Sequence, residues 1–266
     1  MELFDITKYK TKKELFEFIV TNKEQLIAAK KAVTKHSDGI NYAAESNVIA
    51  TKGQSDNDNL QVKAVINTTN LMDSHNDVHL PGLWNKSLKE NRSIMHLQEH
   101  EMKFDKIIAK GNDLKASVKT YSWKELGYNF AGNTQALIFD STVKRSRNAF
   151  MYDEYKSGDV DNHSVGMQYV KILLAVNDED YGAEYEAWEK YYPEIANKEQ
   201  ADSTGYFWAV KEAKVIEGSA VPLGSNFATP TLEVKEPPEG THEPIEPPDG
   251  TQLSVKEFKN ILKELL

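Results

Sequence analysis

Two periodicities of apolar residues divide the chain into a helical beginning, a strand-rich middle and a polar tail. Residues 1–37 read as helical, because Thr11 followed by Glu14 resembles a capping box and apolar side chains then recur at helical spacing. Residues 60–69 alternate instead and are rich in β-branched side chains, which predicts a strand. The stretch between them is rich in Ser, Asn and Asp, so we expect a flexible connection with a boundary near residue 55.

Further along the chain, the pattern predicts more strands and one long helix. Residues 131–157 have the apolar spacing of a helix, whereas residues 206–217 return to strand-like alternation. An acidic, aromatic insertion at residues 177–203 reads as helical and is broken at Pro193. Short strands are predicted at residues 94–97, 107–109 and 114–118, the last two joined by a turn at residues 111–113.

The other elements are organised around residues 160–174, which alternate apolar and polar positions after a polar turn. Ser164 lies near the start of this segment, and Gly166 follows two residues later. Because glycine has no Cβ, the backbone at Gly166 can approach a substrate closely, as an oxyanion site needs. An ordinary strand that begins after a polar turn has the same pattern, so other segments must distinguish the two interpretations.

Composition narrows the classes of function. With 266 residues, 39% of them hydrophobic and 27% charged, the chain can bury a sizeable core inside a polar surface. A net charge of -9 argues against nucleic-acid partners, which need a basic stripe. The absence of cysteine excludes a disulfide framework, a thiolate zinc site and a cysteine nucleophile. Neither a signal-peptide pattern nor a membrane-spanning apolar run occurs, so we expect a soluble protein that is not secreted, in a reducing setting such as the cytoplasm.

One segment suggests a metal site. Carboxylate and imidazole groups at alternate positions of an extended segment can converge on a metal ion, and such an alternation occurs at Asp73, His75, Asp77 and His79. This string resembles the Asp-x-His-Asn-Asp string of the zinc membrane dipeptidases. Pro81-Gly82 then ends the segment, and the train of strands and helices that those barrel enzymes need does not follow. A metal-dependent hydrolase stays an alternative function, with its ligands drawn from His75, Asp77, His79, His96 and His100.

Three groups of residues follow one another in an order that resembles a known family. They are HNDVHLPGLWNKSL at residues 75–88, HLQEHE at 96–101 with HSVGMQYV at 163–170, and VIEGSAVPLGSN at 215–226. Together they resemble the prohead maturation proteases of tailed bacteriophages, which are serine peptidases related in fold to herpesvirus assemblins. The resemblance covers about residues 60–230. Two departures from the family pattern are Glu101, where the family often has Asp, and the insertion at residues 177–203.

The resemblance implies a mainly β, α+β fold: an assemblin-like closed β-barrel core with flanking helices. We expect this barrel domain in residues 56–234, after an N-terminal helical segment and linker in residues 1–55. Residues 235–266 would then contain a Pro- and Glu-rich linker that cannot form a core, followed by a short amphipathic helix at residues 254–266.

The same resemblance implies a catalytic site without a metal or a cofactor. His100 matches the general base of the family, Ser164 matches its nucleophile, and Glu217 falls at its acidic position on the closing strand. An imidazole with a pKa near ~6.5 can activate a serine hydroxyl at neutral pH, and a carboxylate can orient that imidazole. Glu217 also reads as an ordinary surface carboxylate, and His163 would point to the opposite face from Ser164. The oxyanion hole would come from the backbone N–H groups of Val165, Gly166 and Met167.

The implied function is that of a serine endopeptidase of phage head maturation. Such an enzyme works inside the procapsid, in the host cytoplasm, and cuts extensions of the capsid scaffold, of the major capsid protein and of its own chain. A homo-oligomer is compatible with this role, whereas nucleic-acid and membrane partners are not expected. The second alternative is a non-enzymatic scaffold or assembly protein with a relic protease fold, in which the terminal helices and the acidic linker mediate association.

Overall fold

The computed structural model describes residues 8–33, 58–90 and 93–236. These residues belong to one compact unit. The predicted flexible connection, most of the proline-rich linker and the C-terminal helix lie outside the described residues. The domain boundaries expected near residues 55 and 235 therefore stay predictions.

The described chain begins with the two helices that the apolar spacing predicts. Helix α1 covers Lys12–Thr21 and helix α2 covers Lys23–Ala32. The hydroxyl of Thr11 caps α1 by accepting the N–H of Glu14 at 3.2 Å. The apolar stripe of both helices packs into the main core, through Phe16, Ile19 and Leu26.

Nine strands form two sheets within the described residues. The first sheet is antiparallel, in the order β5-β6-β1-β9, with β1 at Asn59–Thr68, β5 at Leu114–Ser122, β6 at Asn133–Lys144 and β9 at Thr231–Lys235. The second sheet contains β2 at Asp77–His79, β3 at Met95–Gln98, β4 at Ile107–Lys110, β7 at His163–Val176 and β8 at Tyr206–Ala220. Strand β8 is its centre: β7 pairs along one edge, antiparallel, and the short β2 and β3 pair in parallel along the other.

The predicted α+β class is confirmed, but the described strands form two sheets and not the closed barrel that the resemblance implies. The described strands form their ladder hydrogen bonds with strands of their own sheet, so these bonds do not join the two sheets into one closed barrel. Strands β4 and β5 illustrate this, because the tight turn Gly111–Asp113 between them connects the two sheets and does not close a hairpin.

The helix predicted over residues 131–157 is wrong in its first half. Strand β6 occupies Asn133–Lys144, and only Ala149–Ser157 is helical, as α4. Four consecutive apolar residues of β6 are buried on both faces, because Leu137 and Phe139 pack in the main core while Ala136 and Ile138 pack in a smaller cluster on the other face. Such a run satisfies helical spacing as well as strand spacing, so periodicity alone could not separate the two.

The remaining helices surround the sheets. Helix α3, Asn85–Glu90, follows the Pro81-Gly82 turn. The acidic insertion is helical as predicted, with α5 at Gly182–Tyr191 and α6 at Lys198–Thr204, separated by a tight turn that contains Pro193. No helix in the described part of the chain is long and apolar enough to cross a membrane.

Two close contacts hold the second sheet in place. A Cβ at Gly218 of β8 would lie 2.6 Å from both Ile66 and Phe139, so glycine lets β8 approach the first sheet at this point. At a second point, Lys30 of α2 forms a buried ion pair with Asp77 of β2, and the Tyr169 hydroxyl donates to the second oxygen of the same carboxylate at 2.8 Å. The N-terminal helices are thus joined to the sheet by charge as well as by apolar packing.

Candidate functional site

The register of β7 and β8 decides which side chains can meet. Ser164 is directly opposite Ser219, and Gly166 is directly opposite Glu217. Side chains of directly opposite residues project from the same face of a sheet, and residues two apart on one strand share a face. Ser164, Ser219 and Glu217 therefore lie on one face, at the end of the sheet where β3 also finishes.

His100 reaches the same face through a left-handed turn after β3. Glu99 and His100 have φ values of 51° and 60°, a region that residues with a Cβ seldom occupy. Two hydrogen bonds donated by its backbone hold the turn. The Glu99 N–H donates to Ala220 O at 2.9 Å, and the His100 N–H donates to the hydroxyl of Ser219 at 3.1 Å. Two adjacent left-handed residues at the end of a strand are typical of a functional site.

The imidazole of His100 is bound by a buried carboxylate. Its Nδ1 lies 2.6 Å from Oε1 of Glu217, which is fully buried, while the His100 side chain keeps 11% of its surface exposed. A carboxylate accepts hydrogen bonds, so Nδ1 carries the proton and Nε2 is the ring nitrogen that can accept one. The surface interpretation of Glu217 is wrong, because the carboxylate faces the histidine inside the protein.

The carboxylate of Glu217 occupies the space that a side chain at residue 166 would fill. A Cβ on Gly166 would lie 1.9 Å from Oε1 and 2.7 Å from Cδ of Glu217. The sequence suggested that Gly166 lets a substrate approach the backbone, but in the structure it makes room for this carboxylate. Because Gly166 has no Cβ, the side chain of Glu217 can extend from β8 over β7, at a position two residues from Ser164.

The register also distinguishes between the expected oxyanion donors. The Val221 N–H donates to Asn162 O at 3.1 Å, and hydrogen-bonded pairs alternate along antiparallel strands, so residues 164 and 166 direct their backbone groups towards β8. The same alternation directs the N–H of Val165 away from β8, so this donor, next to Ser164 in sequence, is not engaged by β8.

Ser219 is the site residue that the sequence reasoning did not single out. Its hydroxyl accepts from the His100 N–H and donates to Oε2 of Glu217 at 2.6 Å. The signal was present, because a serine two residues after Glu217 on a strand must share its face. The three predicted catalytic residues are thus gathered around a fourth side chain.

His163 and His96 lie on the opposite face, within the core. The hydroxyl of Tyr155 bridges them, at 3.0 Å from Nε2 of His163 and 3.1 Å from Nε2 of His96. Burial lowers the pKa of His163 to about 4, and burial together with the neighbouring His163 lowers the pKa of His96 to about 3. Both rings are neutral at neutral pH and belong to the packing of the sheet.

We expect these two histidines to make the fold sensitive to acid. Below pH ~6.5 the unfolded chain binds protons that the buried rings exclude, so the free energy of unfolding falls by up to ~1.4 kcal/mol per pH unit for each ring. Burial and the nearby Asp77 raise the pKa of Asp73 to about 7, which opposes part of this loss. Urea unfolding at pH 7 and pH 5 should show a smaller difference in His163→Gln than in wild type. An equal difference would contradict the assignment.

The predicted metal ligands are divided among separate hydrogen-bond networks. Asp77 and His79 share one network through the Tyr169 hydroxyl, whereas His96 lies in the core beside Tyr155 and His100 binds Glu217. In the part of the chain that the structure describes, no three His, Asp or Glu side chains converge as metal ligands. The donor set that the metal-dependent alternative needs is therefore not brought together.

Comparisons of the chain with protein-family models, with curated proteins and with solved structures found no match in any of the three.

Proposed function

We propose that this protein is a serine endopeptidase in which Ser164 is the nucleophile, His100 the general base and Glu217 the group that orients the base. The observation that carries the proposal is the 2.6 Å contact between Nδ1 of His100 and the fully buried Glu217, on the face of the sheet that carries Ser164. A serine hydroxyl is a weak nucleophile until an adjacent base removes its proton, and the base needs a third group that fixes its tautomer.

The reaction follows from these positions. Nε2 of His100 takes the proton of Ser164 as Oγ attacks the carbonyl carbon of a peptide bond, and the N–H of Val165 donates to the oxyanion that forms. The protonated His100 then gives its proton to the leaving amine, which leaves an acyl-enzyme. A water molecule, deprotonated by His100, hydrolyses this ester. Glu217 stays ionised throughout and stabilises the imidazolium.

The substrate class rests on the ordered sequence resemblance. It supports an assemblin-like peptidase of phage head maturation, which cuts extensions of the capsid scaffold and of the major capsid protein, and its own chain, inside the procapsid. The net charge of -9 supports protein substrates over nucleic acid. The separation of the metal-ligand candidates favours this proposal over the metal-dependent alternative.

Covalent labelling tests the proposal without knowledge of the substrate. We expect a fluorophosphonate to add one phosphonyl group to the full-length protein, located at Ser164 by peptide mass spectrometry. Glu217→Gln should keep Ser164 as the labelled residue but slow the reaction by about 10²–10⁴-fold, because the orienting carboxylate contributes less than the nucleophile or base.

The matched control is Glu212→Gln, the same change on the same strand, at a carboxylate that pairs with Lys171 and Lys86 near the surface. It should be labelled at the wild-type rate. Labelling of a different serine would contradict the nucleophile assignment, and a Glu217→Gln protein that reacts at the wild-type rate would contradict the role of Glu217.

A further inference from the structure

A closed ring of hydrogen bonds passes through Ser219. The His100 N–H donates to the Ser219 hydroxyl, the hydroxyl donates to Oε2 of Glu217, and Oε1 of Glu217 accepts from Nδ1 of the same histidine. The ring therefore joins the backbone of the base to the carboxylate that orients its side chain. Ser219 and Glu217 are both fully buried, and Ser164 lies directly across from Ser219 on β7.

From this ring we propose that Ser219 is a positioning residue of the peptidase, which sets the geometry of His100 and Glu217 together. The inference rests on the proposed function. It adds a fourth residue to the three that the sequence suggests, and it explains how a histidine outside the strands is held against a carboxylate within one.

The chemistry of the hydroxyl suits this role. One oxygen must accept from a backbone N–H and donate to a carboxylate at the same time, and among small side chains only serine and threonine do both well. Alanine would leave Oε2 of Glu217 without its donor in a buried place, which favours rotation of the carboxylate. Because Ser219 donates its hydroxyl proton to Glu217, it is not suited to be the nucleophile.

Ser219 also stabilises the turn that contains His100. Left-handed conformations at Glu99 and His100 are strained for residues with a Cβ and persist only where the surroundings hold them. The bond from the His100 N–H to Ser219 is one of the contacts that hold this turn. Loss of the hydroxyl therefore disturbs the base at its backbone as well as at its ring.

We expect Ser219→Ala to lower kcat by about 10²-fold, the cost of a small misplacement of catalytic groups, with KM unchanged because the hydroxyl does not touch substrate. A displaced Glu217 stabilises the imidazolium less, so the acidic limb of the pH profile of kcat/KM moves to lower pH. Ser219→Thr keeps a hydroxyl with both bonding roles and should restore kcat and the limb.

A spectroscopic measurement separates this proposal from the proposed function. Nitrogen-15 NMR of the wild-type protein should show His100 as the single tautomer protonated at Nδ1, and Ser219→Ala should show a mixture of the two tautomers. This result is obtained whether or not the protein cleaves peptides. If the wild-type protein showed neither cleavage nor labelling, the proposed function would be overturned. The tautomer measurement would still decide whether Ser219 positions His100.

The matched control is Ser141→Ala, which removes a buried hydroxyl 2.9 Å from Nδ1 of His96 on the opposite face. It should lower stability without moving kcat or the pH profile. The proposal is overturned if Ser219→Ala keeps wild-type kcat, or if it loses kcat while the acidic limb and the His100 tautomer stay unchanged, since that pattern marks a structural role only. If Ser219→Ala does not fold, a Ser219→Thr protein that folds without wild-type kcat and tautomer overturns it.

Discussion

Ser164→Ala and His100→Ala should each lower kcat for peptide cleavage by about 10⁴–10⁶-fold, with the fold intact. The nucleophile and the base act as one unit, so the double variant should be no slower than either single variant. The fold should survive because both residues lie at the end of the sheet, and the hydroxyl and the imidazole lie outside the apolar core clusters.

Self-shortening of the purified chain and cleavage of peptides from its own sequence are the measurements, with circular dichroism to verify folding. The matched control is Ser157→Ala, which removes an exposed hydroxyl at the end of α4 and should keep wild-type turnover. Wild-type turnover in Ser164→Ala or in His100→Ala would remove that residue from the mechanism. Loss of activity together with loss of the folded spectrum would make the residue structural.

The second large effect is expected from a single methyl group at Gly166. Its Cβ would lie 1.9 Å from Oε1 of Glu217, closer than a carbon and an oxygen that are not bonded can approach, so the carboxylate must leave its place beside His100. We expect Gly166→Ala to lower kcat by about 10²-fold or more, because the orienting group is displaced and not merely altered.

Gly218→Ala is the matched control for Gly166→Ala, since residue 218 is opposite Val165 on β8 and its Cβ would meet Ile66 and Phe139 on the other face. Overpacking of that core should cost about 1–3 kcal/mol in the free energy of unfolding and leave the tautomer of His100 unchanged. Chemical unfolding and nitrogen-15 NMR of both variants distinguish the two effects. A Gly166→Ala protein with wild-type kcat would show that Glu217 does not need its observed position.

Several parts of the fold could be predicted from local sequence because their physical causes are local. The Thr11 cap and the apolar stripe of α1 and α2 depend on residues within one or two turns. The alternation at residues 60–64 of β1 and 213–216 of β8 depends on one buried face of each segment. The helix predicted at the position of β6 shows the limit of this reasoning, since both faces of residues 136–139 pack against distant parts of the chain, which removes the alternation on which the prediction depends.

The candidate site divides in the same way. Local sequence is enough to show that a histidine follows a short strand, that a serine and a glycine alternate at the start of a long one, and that a glutamate and a serine share a face of another. These properties follow from the two-residue period of extended chains. They made His100, Ser164 and Glu217 candidates.

How these groups meet depends on contacts between segments that are distant in sequence. The register that places Ser164 opposite Ser219 is a property of two strands that are distant in sequence, and the left-handed turn at His100 persists through bonds to β8. The missing side chain at Gly166 matters because the carboxylate of Glu217, from another strand, occupies that space. The same holds for the two sheets found in place of a closed barrel, because strand pairing is a long-range choice that a periodicity within one strand does not contain.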